Sequence, residues 1–418
     1  PVRWLGLKEK VRKTMLQLLL GGSGSGKTTL LYQRIRARAE KGEKSILLVP
    51  EQFTSSTEGR IYRELGDALS GMVESFSFTS LAEKILSTEG GAAVQTLSDA
   101  GRAVLVRRAL EELQDNVHYY HRHRRSAAFC QMAAQTIDEL KSAGLSGRQL
   151  AQLAGACGAE SGKLSELALI FQGYETLLAR SGMDPSDRLE LAGARLEEAL
   201  ARHSLPEFLR DRAVFIDEFD TFNAPKKRLL GALLAALPSV TVALCDDGAP
   251  LLPGDLSLFS GAKQVAAQLR QLARKNGAEV AVPQLLRKDL RHRNAPGLAA
   301  VAELLETGSC TADAPAGEVR LFAAPSREEE ARAAAGAIRR LMRQGVRCGK
   351  IAVVCRDIAK YRAAVRYEFR MAEIPLYCDE PTPRNSAPRP RRSRALLEIA
   401  RGADLTENLT PLPRRLCA

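Results

Sequence analysis

A glycine-rich segment near the start of the chain constrains the fold more than any other feature. Its eight residues, Gly21-Gly22-Ser23-Gly24-Ser25-Gly26-Lys27-Thr28, match the phosphate-binding pattern GxxxxGK[ST] in full, and Thr29 follows directly. Glycines let the backbone wrap around a phosphate with its N–H groups facing inward, and the helix that follows turns its positive end towards the anion. The lysine of this pattern reaches the β- and γ-phosphates, and the Thr28 hydroxyl helps to hold Mg²⁺. We therefore predict that Gly21 to Thr29 bind ATP with Mg²⁺.

The residues on either side supply the strand and the helix that a phosphate-binding loop needs. Leu16 to Leu20 form an apolar run typical of a buried parallel strand. From Lys27 apolar residues recur at helical spacing until Gly42, and Ser45 to Val49 form a second apolar run. This order predicts a βαβ unit and a parallel sheet. It also favours a phosphate site over a structural glycine-rich turn without a ligand.

A long helical block is predicted to interrupt the α/β pattern. Val73 to Phe78 and Ser80 to Leu86 predict a short strand and a helix, after which residues 98–203 predict helices alone. Apolar residues recur there at helical spacing and are interpreted as core positions: Met132, Ile137, Leu140, Leu164, Leu167, Ile170, Phe171, Tyr174, Leu177 and Leu178. We predict a helical insertion at 98–203 within an α/β domain formed by residues 15–97 and 204–300.

Two acidic residues follow the strand with which the α/β pattern returns. Ala213 to Ile216 is an apolar run that leads directly into Asp217 and Glu218. An aspartate there can hold Mg²⁺ through water, and the adjacent glutamate can act as the general base that orients the attacking water. The alternative is an acidic helix N-cap after a strand. The phosphate-binding pattern upstream favours the catalytic interpretation.

The α/β pattern continues and then restarts in a second unit. Lys227 to Leu237 predicts a helix and Val240 to Leu244 a strand, and residues 248–317 predict a looser region. Over residues 316–380 we predict strands at Val319–Phe322, Ile351–Cys355 and Ile374–Tyr377 and helices at Arg327–Gln344 and Tyr361–Ala372.

Arg356 directly follows one of these predicted strands. An arginine at such a strand end can reach a γ-phosphate across a domain cleft and stabilise the charge being transferred. Alternatively, it is one of many surface arginines. The sequence leaves both interpretations open.

Both ends of the chain predict segments outside the fold. Pro1 to Thr14 is basic and has no clear counterpart in the rest of the chain, so we expect a non-native or disordered extension before a natural start at Met15. Residues 381–418 are rich in Pro and Arg, which predicts a disordered tail. We expect this tail to reflect a frameshift or a truncated reading frame.

Composition narrows the class of protein. The formal net charge is +12, which favours an acidic partner, most commonly nucleic acid; the alternative is a solvated basic surface without a specific partner. Eight cysteines lack CxxC or CxxH spacing, so they predict neither a zinc site nor a disulfide framework and fit a reducing cytoplasm. No apolar run approaches about 18 residues, so we predict no membrane span.

One basic segment is interleaved with aromatic residues. His118 to Arg125 reads HYYHRHRR, and such a stretch can contact phosphates and stack on bases. It can equally be a solvated loop between helices, which is the interpretation we favour. Its histidines do not have the spacing of metal ligands.

Several motifs, taken in order, resemble the AddB (RexB) family, the second subunit of the bacterial AddAB (RexAB) helicase–nucleases. They are LLLGGSGSGKTTL (Leu18 to Leu30), ILLVPEQFT (Ile46 to Thr54), SFSFTSLAEKIL (Ser75 to Leu86), VFIDEFDTFNAPKK (Val214 to Lys227), DLSLF (Asp255 to Phe259), VVCRD (Val353 to Asp357) with Tyr361, and IPLYCDE (Ile374 to Glu380). The resemblance covers residues 15–380.

The resemblance implies a superfamily 1 helicase-like architecture, with a RecA-like first domain that carries the helical insertion and the start of a second RecA-like domain. It also implies a heterodimer with an AddA-like helicase–nuclease subunit on DNA ends, in double-strand break repair by homologous recombination. The family's C-terminal nuclease domain holds an iron–sulfur cluster. We expect the nuclease carboxylates and the cluster ligands beyond residue 418, so neither is expected in this chain.

Three functions remain after this comparison. In the family the motor motifs are generally degraded, which implies an ATP-binding DNA-processing subunit that is not itself a motor. Asp217-Glu218 departs from the family's usual Asp-Gly, so an active ATP-driven superfamily 1 translocase is the first alternative. A P-loop NTPase or kinase unrelated to DNA is the second alternative. The helical block and the basic charge argue against the latter.

Overall fold

A computed structural model describes residues 14–378 except positions 92, 94, 95, 124, 157, 159, 160 and 310–317. The predicted N-terminal extension, apart from Thr14, and the predicted tail over 381–418 lie outside these residues. The chain divides into two compact units between Glu318 and Val319.

The first unit is built on a parallel sheet. Its described strands are β1 (Met15–Gly21), β2 (Ser45–Leu48), β3 (Val73–Phe76), β4 (Ala213–Ile216), β5 (Ser239–Cys245), β6 (Glu279–Val280) and β7 (Gln284–Leu286). They lie in the order β3-β2-β4-β5-β1-β6, and β7 also pairs with β1, along Leu19 to Gly21, whereas β6 pairs with Met15 and Leu16. Every described pair is parallel. The predicted α/β class with a parallel sheet is therefore confirmed.

Most of the chain between the strands is helical. The described α-helices of the first unit are α1 (Lys27–Ala39), α2 (Thr54–Leu65), α3 (Asp67–Ser70), α4 (Phe78–Glu89), α5 (Asp99–Glu112), α6 (Ala127–Ser142), α7 (Gly147–Ala154), α8 (Ser161–Ser181), α9 (Pro185–Ala201), α10 (Ala224–Ala236), α11 (Ser260–Lys275) and α12 (Pro296–Thr307). Among all described helices, none combines the length and apolar character needed to cross a membrane.

The sheet is buried on both faces because alternate residues of each strand point to opposite sides. On one face, Leu16, Ile46 and Val214 pack with apolar residues of α4, α9, α10 and α11. On the other face, Leu19 and Leu47 pack with residues of α1 and α2. Strands covered on both sides read as continuous apolar runs, which is why β1, β2, β4 and β5 could be predicted from the sequence.

The helices between β3 and β4 belong to two different cores. Helices α5 to α8 share a core that includes Val106, Ile137, Phe171 and Tyr174. Helix α9 instead contributes apolar residues to the core on the sheet, next to α4 and α10. The prediction of Met132 as a core position is wrong, since its side chain is 58% exposed.

A buried ion pair links the core of α5 to α8 to the start of α9. Lys141 Nζ lies 2.8 Å from Asp184 Oδ2 and 2.7 Å from the Asp187 carboxylate. The Tyr174 hydroxyl donates a hydrogen bond of 2.6 Å to the other Asp184 oxygen. Burial alone would lower the pKa of Lys141, but the charges of and hydrogen bonds to Asp187 and Asp184 raise it above its ordinary value. The ammonium is thus held in its charged form.

Two sequence predictions at the edges of this unit are wrong. Residues 248–317 were expected to be loose, yet they contain α11, β6, β7 and α12. Helix α11 buries Lys263, Val265, Ala266, Leu269 and Ala273, so only two branched apolar residues mark its buried face in the sequence. Thr14, assigned to the extension, belongs to the fold, because its carbonyl oxygen accepts a hydrogen bond of 2.8 Å from the Glu279 N–H in β6.

The second unit contains two described α-helices, α13 (Arg327–Arg343) and α14 (Ile358–Met371), which pack through Ala335, Ile338, Val365 and Phe369. The strands predicted at 319–322, 351–355 and 374–377 are not formed among its described residues. A parallel strand is stable only in a hydrogen-bonded ladder with neighbours, and these segments have none there. The side chains of Leu321 and Val354 are accordingly almost fully exposed.

Candidate nucleotide-binding site

The glycine-rich segment forms the turn from β1 into α1. Gly24 has φ 80° and Gly26 has φ 89°, in the left-handed region that favours glycine. A Cβ on Gly21 would lie 2.6 Å from the carbonyl oxygen of Leu286, so only glycine fits there. The Ser25 Oγ is buried without a hydrogen-bond partner. An unsatisfied buried hydroxyl suits a site whose ligand supplies the missing partner.

Lys27 begins α1, and its side chain folds back over the loop. Its Nζ donates hydrogen bonds of 2.8 Å to the carbonyl oxygens of Gly21 and Gly22 and lies 4.0 Å from the Cys245 Sγ. Partial burial lowers the pKa of Lys27, and the neighbouring Cys245 and Asp217 oppose that shift. The ammonium therefore stands at the mouth of the loop, where a phosphate would need it.

Asp217 follows β4 and lies beside the loop. Its N–H donates a hydrogen bond of 3.1 Å to the Leu48 carbonyl oxygen, which extends the pairing of β4 with β2. Burial raises the pKa of the Asp217 carboxyl, while a hydrogen bond from the Thr28 side chain opposes the rise. The fold thus brings together Thr28 and Asp217, the two residues predicted to hold Mg²⁺. Neither acid caps the next helix, because Asn223 is the N-cap of α10.

Glu218 is exposed next to Asp217 and has an unusual backbone. Its φ is 65°, a left-handed conformation that costs free energy in a residue other than glycine. Its N–H donates a hydrogen bond of 3.0 Å to Asp217 Oδ1. Partial burial and the charge of Asp217 raise the pKa of Glu218, while Arg60 acts in the opposite direction. Glu218 therefore combines an exposed carboxylate with increased basicity.

Four further side chains reach the site without having been predicted. Arg60 of α2 and Arg291 line the same cavity of about 470 Å³ as Lys27, Asp217 and Glu218. Arg291 Nη1 donates a hydrogen bond of 3.0 Å to the Ser23 Oγ. Cys245, at the end of β5, and Glu306 of α12 both act electrostatically on Lys27. The cavity is therefore lined by charges of both signs.

The sequence contained little signal for these residues. Arg291 follows β7, a strand of only three residues that has no recognisable apolar run. A basic residue at that strand end would have been a candidate if β7 had been predicted, because the carboxyl ends of parallel strands share one edge of the sheet. Arg60 lies within α2, where no spacing rule connects it to the loop.

Arg356, the remaining predicted contact, belongs to the second unit. It follows the extended segment 351–355 and precedes α14. Its assignment as a contact of the nucleotide stays a prediction.

Comparison with known proteins gives the family. Residues 18–302 match the family model described as ADDB, N-terminal. The chain is 34% identical over 411 residues to the B subunit of the ATP-dependent helicase/deoxyribonuclease of Desulforudis audaxviator, a match that covers 94% of this chain and 34% of that protein. Proteins of the same name from Moorella thermoacetica and Symbiobacterium thermophilum are 33% and 32% identical, over 92% of this chain and 34% of each relative.

The chain therefore spans about a third of the length of these curated relatives. The family model covers more than half of its residues and includes the loop, α1 to α11, and the strand ends that carry Asp217 and Cys245. This chain belongs to the AddB family.

Proposed function

We propose that this chain binds ATP with Mg²⁺ and forms the N-terminal, helicase-like part of a DNA end-processing helicase–nuclease subunit that acts in double-strand break repair by homologous recombination. The observation that carries the proposal is the meeting of Lys27, Thr28 and Asp217 at the carboxyl edge of a parallel sheet. Ligands of open α/β sheets bind at this edge. The names of the relatives support the DNA-processing role.

The proposed roles follow from the chemistry of each group. The N–H groups of Gly22 to Thr29 would face the phosphates, and Lys27 would exchange its two carbonyl partners for phosphate oxygens. Thr28 and Asp217 would hold Mg²⁺ together with water and the phosphates, since Mg²⁺ retains several waters and takes few protein ligands. In the described part of the chain, no three His, Cys, Asp or Glu side chains could hold a metal by themselves.

For the fold, we propose a RecA-like domain over residues 15–97 and 204–300, with residues 98–203 as its helical insertion and residues 316–380 as the start of a second RecA-like domain. The all-parallel sheet supports the first assignment, and the separate core of α5 to α8 supports an insertion, although α9 within the proposed range packs on the sheet. We also propose an AddA-like partner subunit, because the chain belongs to the AddB family. A cytoplasmic location stays a prediction.

Glu218 supports a second candidate function, an active ATP-driven translocase. Its exposed carboxylate with a raised pKa next to Asp217 is the arrangement that a general base for ATP hydrolysis needs. A DNA-unrelated NTPase is disfavoured by the family to which the chain belongs.

Measuring ATP binding and ATP turnover, with and without single-stranded DNA, separates the two candidates. We expect the chain to bind ATP in the presence of Mg²⁺ and to show no DNA-stimulated turnover. Stimulated turnover that is lost in Glu218→Gln would replace the first candidate by the translocase. Absence of ATP binding would reject the proposal altogether.

Glu306 is expected to oppose nucleotide binding. A Cβ on Gly22 would lie 2.6 Å from the Glu306 Oε1, so this carboxylate stands against the loop that would hold the phosphates. Replacing it with glutamine should tighten ATP binding about 1.4- to fivefold, because exposed charge pairs contribute roughly 0.2–1 kcal/mol. Titration calorimetry at low salt can measure the change.

Glu303→Gln, on the same helix, is the matched control and should leave the affinity unchanged. Equal effects of the two substitutions would mean that α12 acts through its overall charge and not through the contact of Glu306 with the loop.

A further inference from the structure

The basic and aromatic segment His118–Arg125 is used by neither the sheet nor the nucleotide site. It joins α5 to α6, and its described residues are exposed except for the half-buried Tyr120. Residues 118–125 include three arginines and three histidines, and Asp115 is the one acidic residue in the sequence from 113 to 126. The charged glutamates Glu111 and Glu112 of α5 are paired with Arg107 and Arg108. The segment is thus a local positive patch.

The side chain of Glu166 fixes the backbone of this segment. The Glu166 carboxylate of α8 accepts hydrogen bonds of 2.8 to 3.1 Å from the N–H groups of His118, Tyr119 and Tyr120. These hydrogen bonds lower the pKa of Glu166 against the effect of its own burial. Three successive N–H groups around one carboxylate form an anion-binding nest that an internal group already fills. The loop is therefore ordered before any partner arrives.

The aromatic rings divide into an inner set and an outer one. Tyr120 and His123 pack against Phe129 of α6, with ring centroids 5.3 and 5.7 Å apart. Tyr119 remains 56% exposed, with Lys163 Nζ 5.2 Å from its ring centroid. Tyr120 and His123 attach the segment to α6, while the Tyr119 ring meets Tyr120 edge-to-face at 5.2 Å and has Lys163 Nζ over it.

We propose that this surface, formed by His118, Tyr119, Arg122, Arg125 and Lys163, binds single-stranded nucleic acid. Tyr119 would stack on an unpaired base, and the arginines and Lys163 would neutralise the neighbouring phosphates. Aromatic rings flanked by cations bind single strands in this way because every base presents a π-face. A base inside a duplex is stacked on both faces, so the arrangement favours a single strand over a continuous duplex.

The inference rests on the proposed function for the class of partner and extends it to a particular surface. An ordered loop loses little conformational entropy on binding, so the anchoring by Glu166 favours affinity. Glu166 is a positioning residue here, since it contacts the backbone of the loop and not the partner.

The proposal is tested by measuring how the 418-residue chain binds a fluorescein-labelled oligothymidylate. The oligonucleotide has about 16 nucleotides, which is the upper end of common site sizes for single strands. The measurement is made by anisotropy without nucleotide, so failure of ATP binding at Lys27 would leave its outcome interpretable. Tyr119→Ala should weaken binding roughly fivefold or more, as expected for loss of one stacked base. Tyr62→Ala is the matched control, because Tyr62 is also 56% exposed but lies on α2.

The salt dependence tests the charges separately. The logarithm of the affinity falls as the logarithm of the salt concentration rises, and for a single strand each lost phosphate contact makes this slope shallower by about 0.7. The double substitution Arg122→Ala with Arg125→Ala should therefore reduce the slope by about 1.4, whereas Arg274→Ala on α11 should not change it. Glu166→Asp, which keeps the charge but shortens the reach to the three N–H groups, should weaken binding at an unchanged slope.

Two results would overturn the proposal. One is an affinity of Tyr119→Ala equal to that of the unchanged chain, with both proteins folded by circular dichroism. The other is an unchanged salt slope in the double variant Arg122→Ala with Arg125→Ala, which would mean that neither arginine contacts a phosphate.

Discussion

Lys27→Ala is expected to weaken ATP binding by roughly 10- to 150-fold, because a hydrogen bond to a charged group contributes roughly 1.5–3 kcal/mol. The lysine is the one side chain of the loop with a positive charge, and it already lies 2.8 Å from two carbonyl oxygens at the mouth of the site. Its loss removes the ammonium and leaves the loop backbone intact. Equilibrium binding of a fluorescent ATP analogue with Mg²⁺ measures the effect.

Lys41→Ala provides the control for this experiment. Lys41 is exposed just beyond the C-terminal end of α1, so its removal changes the net charge equally without touching the loop. We expect the Lys41→Ala variant to bind the ATP analogue with the same affinity as the unchanged chain. If Lys27→Ala bound ATP as tightly as Lys41→Ala, the glycine-rich segment would be a structural turn.

The largest expected effect on stability comes from the buried ion pair between the two helical cores. Lys141→Met should reduce the free energy of unfolding by roughly 3–5 kcal/mol, because removal of one partner leaves a buried charge uncompensated. Asp184 is 1% exposed and would keep only the Tyr174 hydroxyl and its local contacts. Urea unfolding followed by circular dichroism measures the loss.

The pH dependence of this pair has a definite sign. Since the folded-state pKa of Lys141 is raised, its contribution is complete below the ordinary lysine pKa and is lost as the pH rises through the folded-state pKa. The difference between Lys141→Met and the unchanged chain should therefore be constant near neutral pH and shrink only in strongly alkaline solution.

Lys360→Met is the matched control for the buried pair. Lys360 forms an ion pair of 3.1 Å with Asp357, but both side chains are well exposed, at 61% and 42%. Exposed pairs contribute about 0–1 kcal/mol, so this substitution should be nearly neutral. A similar loss from both substitutions would mean that burial is not what makes the Lys141 pair important.

The parts of the fold that could be predicted are those with a local signal. Strands β1, β2, β4 and β5 are covered on both faces, and their apolar runs predicted them within one or two residues. Helix α8 was predicted from its stripe of large apolar residues, which the core of α5 to α8 buries. Helix α11 was missed because its buried face offers only Val265 and Leu269 as branched apolar residues, beside two alanines and a lysine.

The predicted second sheet failed for a different reason. Segments 319–322 and 351–355 have the apolar composition of strands, but composition cannot specify a partner. Backbone pairing is a long-range property, and in the described part of the second unit no partner strand is present for them.

The sequence alone predicted the nucleotide chemistry that we propose for the loop and its neighbours. A fixed spacing in GxxxxGK[ST], a preceding apolar run and two acids after a later one identified Lys27, Thr28, Asp217 and Glu218, since each signal is local to a few residues. Only the tertiary structure brought Arg60, Cys245 and Arg291 to the same cavity, placed Glu306 against Gly22 of the loop and anchored residues 118–120 to Glu166. Such contacts join residues far apart in the chain, and it is the parallel strand order and the helix packing that decide which of them meet.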